Sequence, residues 1–269
     1  MRTVVHISDL HFGHEDPRTV APLIELIRSL KPHVVAVSGD LTQRARRSQF
    51  RAARAFLDAL PNPQVVVPGN HDVPLFDVAR RFLSPFHRYR RFITDDVSPF
   101  FADGEIALLG VNTARSFTWK SGRVKEAQLD EARRRLDPLP EAIVKILVLH
   151  HPFDVPPGAP ESDVVRGARK AMAVFAEAGA DVFLSGHLHV SHVGQTAQRY
   201  RIEGHSALII NAGTATSTRH RGETNTFNVL EVSEGALTLD RYVWAPGKLV
   251  FERGSRERFT RREDGWKVV

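Results

Sequence analysis

The chain has 269 residues, enough for one large domain with a sizeable core, and its 42% hydrophobic and 25% charged content is ordinary for a globular protein. It contains no cysteine, which excludes disulfides and thiolate metal ligands, so any metal must be bound through nitrogen and oxygen. The formal net charge of +6 suits an anionic substrate or nucleic acid. Most of the basic residues are arginine, however, and a GC-rich genome produces that excess without any selection for function.

The first residues, MRTVVHISDLHFG, do not resemble a secretory signal, because the apolar run is short and is broken by Asp9 and His11. No segment reaches the roughly 18 consecutive apolar residues of a membrane span. We therefore expect a cytoplasmic protein without a transmembrane helix.

In the first 190 residues, apolar β-branched runs alternate with amphipathic helical stretches. The strands are predicted over 3–8, 33–39, 64–69, 106–112, 142–151 and 180–187. The helices are predicted over 19–31, 45–60, 125–136 and 164–179. Residues 74–104 are aromatic and rich in arginine, fit no clean period, and predict an irregular helical insertion over one end of the core.

After residue 187 the pattern changes to strands joined by turn signals. The segments SALIINAG, TFNVLEVS, ALTLDRYVW and RFTRREDGWKVV predict consecutive antiparallel strands, with a tight hairpin at Asp264-Gly265. These patterns favour an α/β fold tending to α+β, with two mixed sheets flanked by helices. We expect one domain over 1–235, with 236–269 as a strand and hairpin extension of it.

Five of the predicted strands end in side chains that bind metals. These are Asp9 and His11; Asp40; Asn70, His71 and Asp72; His150 and His151; and His187 and His189. The carboxyl ends of strands in an α/β sheet meet at one rim, so these side chains should converge. In Asp-x-His and His-x-His an extended backbone would send both side chains to the same side.

Each of these residues has an ordinary explanation when it is taken alone. A single Asp at a strand end is usually a helix cap or a turn former, and a single His is usually a hydrogen-bonded core or surface residue. The coincidence at five strands favours one shared metal site instead.

In order and spacing, these blocks resemble the signature of the calcineurin-like metallophosphoesterases over roughly residues 3–215. The resemblance implies a four-layer αββα sandwich and two divalent metal ions, of Mn, Fe, Zn or Co. It assigns the first ion to Asp9, His11, Asp40 and His189, and the second to Asp40, Asn70, His150 and His187, with Asp40 as the bridge. The single-domain bacterial cyclic-nucleotide phosphodiesterases and glycerophosphodiesterases are most similar in size.

The chemistry of such a pair of ions explains the ligand set. Two ions about 3.5–4 Å apart lower the pKa of a bridging water and neutralise the phosphoryl oxygens during in-line attack. The resemblance implies that His71 donates a proton to the leaving oxygen or stabilises the equatorial oxygens. Asp72 either orients His71 or caps a helix. Whether His150 or its neighbour His151 is the ligand stays open at this stage.

We therefore predict a dinuclear-metal phosphodiesterase that acts on a small anionic phosphodiester with a metal-bridging hydroxide. The alternatives are a nuclease of the same family, suggested by the basic charge, and a non-catalytic protein-binding scaffold. The scaffold fits poorly, because such proteins usually lose ligands and every ligand is present here.

Substrate selectivity and self-association are the two further questions that the sequence raises. The insertion offers aromatic rings for stacking and arginines for a second anionic group, although the same residues could form a packed helix. These residues are Phe82, Phe86, Tyr89 and Phe92, with Arg80, Arg81, Arg88, Arg90 and Arg91. The tail over 249–269 could join two chains in a homodimer, or its arginines could protect a monomer from pairing. The threonine-rich loop over 211–225 is expected near the site.

Overall fold

The computed structural model describes residues 1–118, 120–200, 202–219, 221–263 and 265–269. Its strands, in chain order, are β1 (Arg2–Ile7), β2 (Val34–Val37), β3 (Gln64–Val66), β4 (Phe100–Ala102), β5 (Ile106–Val111), β6 (Val144–Leu149), β7 (Ala180–Ser185), β8 (His192–Gln195), β9 (Leu208–Asn211), β10 (Thr226–Ser233), β11 (Ala236–Ala245), β12 (Val250–Arg262) and β13 (Gly265–Val268). The helices are α1 (Pro17–Leu30), α2 (Arg47–Asp58), α3 (Val78–Leu83), α4 (His87–Phe92), α5 (Glu126–Leu136), α6 (Ala168–Glu177) and α7 (Thr196–Arg199).

The strands form two mixed sheets. The first has the order β13-β12-β11-β10-β1-β2-β3, and the second has the order β4-β5-β6-β7-β9-β8. In the first sheet β1, β2 and β3 are parallel, and β10 to β13 add antiparallel strands beside β1. In the second sheet β5, β6, β7 and β9 are parallel, with β4 and β8 as antiparallel edges.

Three apolar clusters make this a four-layer αββα sandwich, as predicted. One cluster lies between the sheets and includes Val4 and Ala36 from the first and Ile146 and Leu184 from the second. Another packs α1 and α2 on the outer face of the first sheet. The third packs α5 and α6 on the outer face of the second sheet. Because both faces of the parallel part of each sheet are covered, the central parallel strands are buried and mostly apolar instead of alternating.

Helix α1 illustrates how the local sequence sets these layers. Asp16 caps it by accepting a hydrogen bond from Arg18 N at 3.0 Å, and Pro17 occupies the first turn, where its missing N–H is not needed. Leu23 and Ile27, four residues apart, are buried on one face. No helix in the described ranges is long and apolar enough to cross a bilayer.

The part after residue 187 departs from the prediction of consecutive antiparallel strands. Strand β9 pairs in parallel with β7 and so completes the β-α-β part of the fold, while β8 and α7 were not predicted. The antiparallel series begins only at β10. Strands β12 and β13 form the predicted final hairpin, with Arg262 opposite Gly265, although Asp264 lies outside the described residues.

The insertion over 74–104 contains two short helices and an edge strand. Helix α4 packs on the first sheet, where the Tyr89 hydroxyl donates to Val66 O at 2.9 Å. Strand β4, which the sequence pattern did not predict, pairs with β5 in the second sheet. The insertion therefore contacts both sheets at the side where β3 and β5 lie.

Candidate dinuclear metal centre

The carboxyl ends of strands from both sheets meet at one place in the sandwich. Strands β1, β2 and β3 reach it from the first sheet, and β6 and β7 reach it from the second. Two hydrogen bonds tie the sheets together there. His150 Nδ1 donates to Ser38 O at 2.8 Å, and His187 N donates to the Asp9 carboxylate at 2.9 Å.

The first group of side chains consists of Asp9, His11, Asp40 and His189, all of which are buried. His189 Nε2 lies 3.1 Å from both Asp9 Oδ1 and His11 Nε2. His11 Nε2 lies 3.5 Å from Asp9 Oδ1 and 3.6 Å from Asp40 Oδ2. Four potential ligand atoms thus converge on one point.

The second group shares Asp40 with the first. His150 Nε2 lies 3.4 Å from Asp40 Oδ2 and 3.1 Å from Asn70 Oδ1, and His187 Nδ1 lies 3.1 Å from the same Asn70 oxygen. The structure therefore brings together all seven side chains that the resemblance assigned to metals, in the two groups expected and with Asp40 common to both.

The chemistry of these donors fits divalent metal ions. Asp9 Oδ1 is buried and makes no hydrogen bond within the described part of the chain, although two imidazole nitrogens face it. His150 and His189 each donate Nδ1–H to a backbone carbonyl, Ser38 O and Arg219 O, so their Nε2 atoms point into the site, where a metal ion would replace any proton on them. Fixing the second ring nitrogen in this way is how proteins orient metal-binding histidines.

The buried negative charge of the site also favours the binding of cations. Although burial disfavours the ionised form, the rings of His189 and His11 hold the pKa of Asp9 well below its usual range. Burial likewise opposes a charge on His150, yet the Asp40 carboxylate raises the pKa of His150 to about 9. Two buried carboxylates that stay ionised attract positive charge, which metal ions supply.

The backbone reaches this arrangement in a way that the sequence analysis did not foresee. The expected extended backbone of the Asp-x-His and His-x-His segments is wrong, although Asp9 and His11 do lie in one ligand group. Several of these residues have left-handed backbones instead, with φ between 49° and 73°: Asp9, His11, Asp40, His187 and His189. A left-handed residue other than glycine costs about 1–2 kcal/mol, and such strain is common at functional sites.

Glycine is required where the strand ends of the two sheets approach each other. Gly39 has a φ of +90°, and a Cβ there would lie 2.8 Å from both Gly69 N and His150 Nδ1. A Cβ at Gly69 would overlap Asp40, and one at Gly186 would overlap Ser8 and Asp9. The three glycines that directly precede a ligand, Gly39, Gly69 and Gly186, therefore have a steric reason.

The geometry favours His150 over His151 as the ligand. His150 Nε2 faces Asp40 and Asn70, whereas His151 Nδ1 is bonded to Thr113 Oγ1 at 2.8 Å. His151 Nε2 is nevertheless close to the second group, within 4.8 Å of ligand atoms of His150 and His187. Burial, together with the neighbouring His187, lowers the pKa of His151 well below its usual value. The buried His151 ring therefore favours the neutral form and packs against the rings of His150 and His187.

His71 lies at the rim, beside the site. The backbone N–H of His71 donates to Asp40 Oδ1 at 2.8 Å, and the His71 ring packs edge-on against the His11 ring. Nδ1 donates to Gln43 O at 2.8 Å, and Nε2 accepts from Arg219 Nη1 at 3.1 Å. Because a carbonyl only accepts and a guanidinium only donates, the ring carries its proton on Nδ1 and turns Nε2 toward the pocket.

The structure corrects the orienting contact expected between Asp72 and His71. The Asp72 carboxylate accepts hydrogen bonds from the backbone N–H groups of Leu41, Thr42 and Gly69 at 2.9–3.1 Å, and from Thr42 Oγ1. The Gln43 carbonyl orients the His71 ring instead. Asp72 thus closes the turn after β3 onto the turn after β2, and by accepting from Gly69 N it caps the short 3-10 helix over Asn70–Asp72, in line with the helix-cap alternative.

Most of the insertion residues expected to bind substrate are structural. Tyr89 is fully buried, and Phe86 and Phe92 pack against the first-sheet core. Arg81 is 5% exposed and donates to three backbone carbonyls, those of Pro74, Ser116 and Thr118. The packed-helix interpretation therefore holds for them. Phe82, Arg90 and Arg91 are exposed instead, and Phe82, 49% exposed, packs against Phe117.

The threonine-rich loop lies next to the site, as predicted. Thr214 Oγ1 donates to Asp9 O and Thr216 Oγ1 to Leu10 O, both at 2.7 Å, so the loop supports the turn after β1. Arg219 comes from the same loop, and its carbonyl holds His189 while its side chain contacts His71. His220 lies outside the described residues.

The sequence analysis missed the cationic side chains around the site. A pocket of about 250 Å³ opens beside Asn70 and His71 and is also lined by Arg44, Lys120 and Arg219. They come from three different loops, so no local motif joins them. The available signal was that Arg219 belongs to the threonine-rich loop that was expected near the site.

A family model for the calcineurin-like phosphoesterases matches residues 2–191. The chain belongs to this family. The match covers every residue that the resemblance assigned to the metals and all the parallel strands except β9. The members of this family use divalent metals, in agreement with the two groups of ligands described above.

Curated relatives and solved structures are consistent with this assignment. A glycerophosphodiester phosphodiesterase of Enterobacter lignolyticus is 32% identical over 26% of this chain and 29% of its own length. A probable glycerophosphodiester phosphodiesterase of Arcobacter nitrofigilis is 28% identical over 45% of this chain and 42% of its own length. The chain thus matches less than half of the length of either relative.

Two solved structures of low sequence identity have the same fold. A purple acid phosphatase of yellow lupin has a TM-score of 0.67 at 13% identity, over 96% of this chain and 53% of its own. A dimetal phosphatase of Danio rerio has a TM-score of 0.60 at 14% identity, over 96% of this chain and 98% of its own.

Proposed function

We propose that this calcineurin-like phosphoesterase is a dinuclear-metal phosphodiesterase that hydrolyses small anionic phosphodiesters. The observation that carries the proposal is the convergence of seven side chains from five strand ends into two groups that share the Asp40 carboxylate. We propose Asp9, His11, Asp40 and His189 as ligands of one ion, and Asp40, Asn70, His150 and His187 as ligands of the other. Diester specificity is supported by the names of the two curated relatives.

Two divalent ions held by these residues would supply Lewis acidity, which makes a water nucleophilic at neutral pH and neutralises the phosphoryl oxygens. In the reaction, a water oxygen attacks phosphorus and the opposite P–O bond to the leaving alkoxide breaks. His71 Nε2 faces the pocket where that alkoxide departs. We propose that the imidazolium form of His71, in which a proton taken up from solvent replaces the Arg219 contact at Nε2, delivers that proton to the leaving oxygen and is left neutral. Gln43 O holds the ring in place through Nδ1.

The function is tested by a substrate screen with metal-reconstituted protein. Protein loaded with Mn, Fe, Zn or Co is assayed against a bis-aryl phosphodiester, an aryl phosphomonoester, cyclic nucleotides and glycerophosphodiesters. We expect a small diester to give the highest kcat/KM and a chelator to abolish turnover. Faster hydrolysis of the monoester would overturn the assignment as a diesterase.

A nuclease of the same family is the second candidate, and the net charge of +6 favours it. The screen therefore includes single- and double-stranded DNA at several salt concentrations. Nuclease activity would require DNA cleavage with a kcat/KM above that of every small diester, with a rate that falls steeply as salt rises, because counterions are released on binding.

A further inference from the structure

The pocket beside the ligand groups concentrates positive charge. Its described lining comprises Gln43, Arg44, Asn70, His71, Val73, Leu75, Lys120 and Arg219, and this set contains no carboxylate. Arg44 follows β2, Lys120 lies between β5 and α5, and Arg219 lies between β9 and β10. Three separate segments of the chain therefore each bring one cation to the same cavity of about 250 Å³.

The two arginines have neutral partners where they face this pocket. Arg44 Nη1 donates to Gln43 O at 3.3 Å, and Arg219 Nη1 donates to His71 Nε2 at 3.1 Å. Both side chains are half-buried, whereas Lys120 is exposed at the mouth. Cations collected in a cleft without neutralising carboxylates raise the local concentration of anionic ligands. A ligand carboxylate or phosphate is also a stronger acceptor for a guanidinium than an imidazole nitrogen is.

The position of the pocket identifies the part of the substrate that would enter it. His71, the proposed proton donor to the leaving oxygen, turns Nε2 into this pocket, and the ligand groups lie on the other side of Asn70. The scissile phosphate belongs at the ligand groups, and so the leaving alcohol extends into the pocket.

We propose that Arg44, Lys120 and Arg219 form a subsite for a second anionic group, carried by the leaving alcohol. This inference rests on the proposed phosphodiesterase function and narrows its substrate class to diesters whose alcohol bears a carboxylate or phosphate. Diesters whose alcohol carries a quaternary ammonium group are disfavoured, because they bring positive charge into a cationic pocket.

The test is a series of methyl aryl phosphodiesters that differ only in the charge of the leaving group. The parent is methyl 4-nitrophenyl phosphate, and the other members carry a carboxylate, a phosphonomethyl or a trimethylammoniomethyl group on the ring. Each kcat/KM is divided by the rate of hydroxide-catalysed hydrolysis of the same ester, which removes differences in leaving-group acidity. We expect this normalised kcat/KM to be about tenfold higher for the anionic esters than for the cationic ester at low salt. An exposed or half-buried charge pair changes kcat/KM by at most about fivefold, and here attraction of the anionic esters and repulsion of the cationic ester both contribute. The carboxylate and phosphonate members show which anion the subsite prefers.

Variants and salt then locate the effect. Arg219→Gln and Lys120→Gln should each reduce the ratio of anionic to cationic kcat/KM severalfold, and 0.5 M salt should reduce it in the wild-type protein by screening, as expected from a Debye length of about 4 Å. Arg221→Gln, in the same loop as Arg219 and exposed, is the matched control and should leave the ratio unchanged. Residue 219 keeps the backbone carbonyl that holds His189 whatever its side chain, so metal content should equal that of the wild type.

The outcomes separate this inference from the function on which it rests. Equal rates across the series, or faster hydrolysis of the cationic ester, would overturn the anionic subsite while leaving the phosphodiesterase in place. A charge preference that persists in both variants would show that Lys120 and Arg219 do not form the subsite. Failure to hydrolyse any member in the metal-loaded state would overturn the proposed function and the subsite together.

Discussion

Asp40 is the residue on which both ligand groups depend. Its Oδ2 lies 3.6 Å from His11 Nε2 in one group and 3.4 Å from His150 Nε2 in the other. Asp40→Asn keeps the shape and the Oδ1 acceptor for His71 N but removes the charge. We expect loss of bound metal and a fall in diesterase activity of more than about 100-fold, beyond the effect of altering an outer-shell group.

Elemental analysis and steady-state kinetics measure this effect. Asp181→Asn is the control, because Asp181 is also buried but lies at the opposite end of β7, where it accepts from Lys145 N. Full metal content in Asp40→Asn would show that the shared carboxylate is not a ligand.

His71 should separate catalysis from metal binding. His71→Ala keeps the backbone N–H that donates to Asp40, so metal content should match the wild type. Loss of general acid help lowers the rate by about 10²–10⁴-fold. The loss should shrink for esters with very acidic leaving groups, which depart without a proton. A series of aryl diesters measures the trend, and an equal loss for all of them would mean that His71 only positions the phosphate.

At the scale of the elements, the strand ends of the two sheets fit together only because glycines precede the ligands. Gly69→Ala would drive a Cβ into Asp40, and Gly39→Ala would also force a side chain onto a residue with a φ of +90°. We expect each change to lower metal affinity and to destabilise the fold by about 1–3 kcal/mol, as overpacking usually does.

Thermal unfolding and metal titration test this prediction. Gly104→Ala, between β4 and β5, is the control, since a Cβ there meets no atom within 4 Å. Wild-type metal affinity in Gly69→Ala would contradict the steric argument.

The contrast between motif and loop explains how much the sequence could predict. Ligand blocks such as Asp9-x-His11 and Gly69-Asn70 are local, and parallel strands must bring their carboxyl ends together, so the convergence of these side chains could be predicted. Their division into two groups came from the family resemblance. The insertion could not, because an aromatic residue looks the same in sequence whether it packs, as Tyr89 does, or is exposed, as Phe82 is. The cationic pocket depends on three distant loops and leaves no local pattern.

At the scale of the whole molecule, the open edge of the first sheet bears on self-association. Strand β13 pairs only with Phe259–Arg262 of β12, so the residues before them form an edge. That edge is strongly charged, and Arg256 forms two bonds of 2.6 Å to Asp240. Charged edges oppose strand pairing. We therefore expect a monomer of 30.1 kDa by light scattering, and twice that mass would favour the dimer through the C-terminal tail.

The metal centre should also stabilise the whole fold, because its ligands come from both sheets. Buried Asp9 and Asp40 are held close together at the junction of the sheets, and ions that bind there bind only the folded state. Binding at 100 times the dissociation constant adds about 2.7 kcal/mol. For a chain of this size each kcal/mol shifts Tm by about 2–4 °C, so chelation should lower Tm by about 5–10 °C. Calorimetry with and without chelator measures the shift, and adding metal back should restore it. The Tm of Asp40→Asn should change little when chelator or metal is added. An unchanged Tm of the wild-type protein on chelation would mean that no ion joins the two sheets.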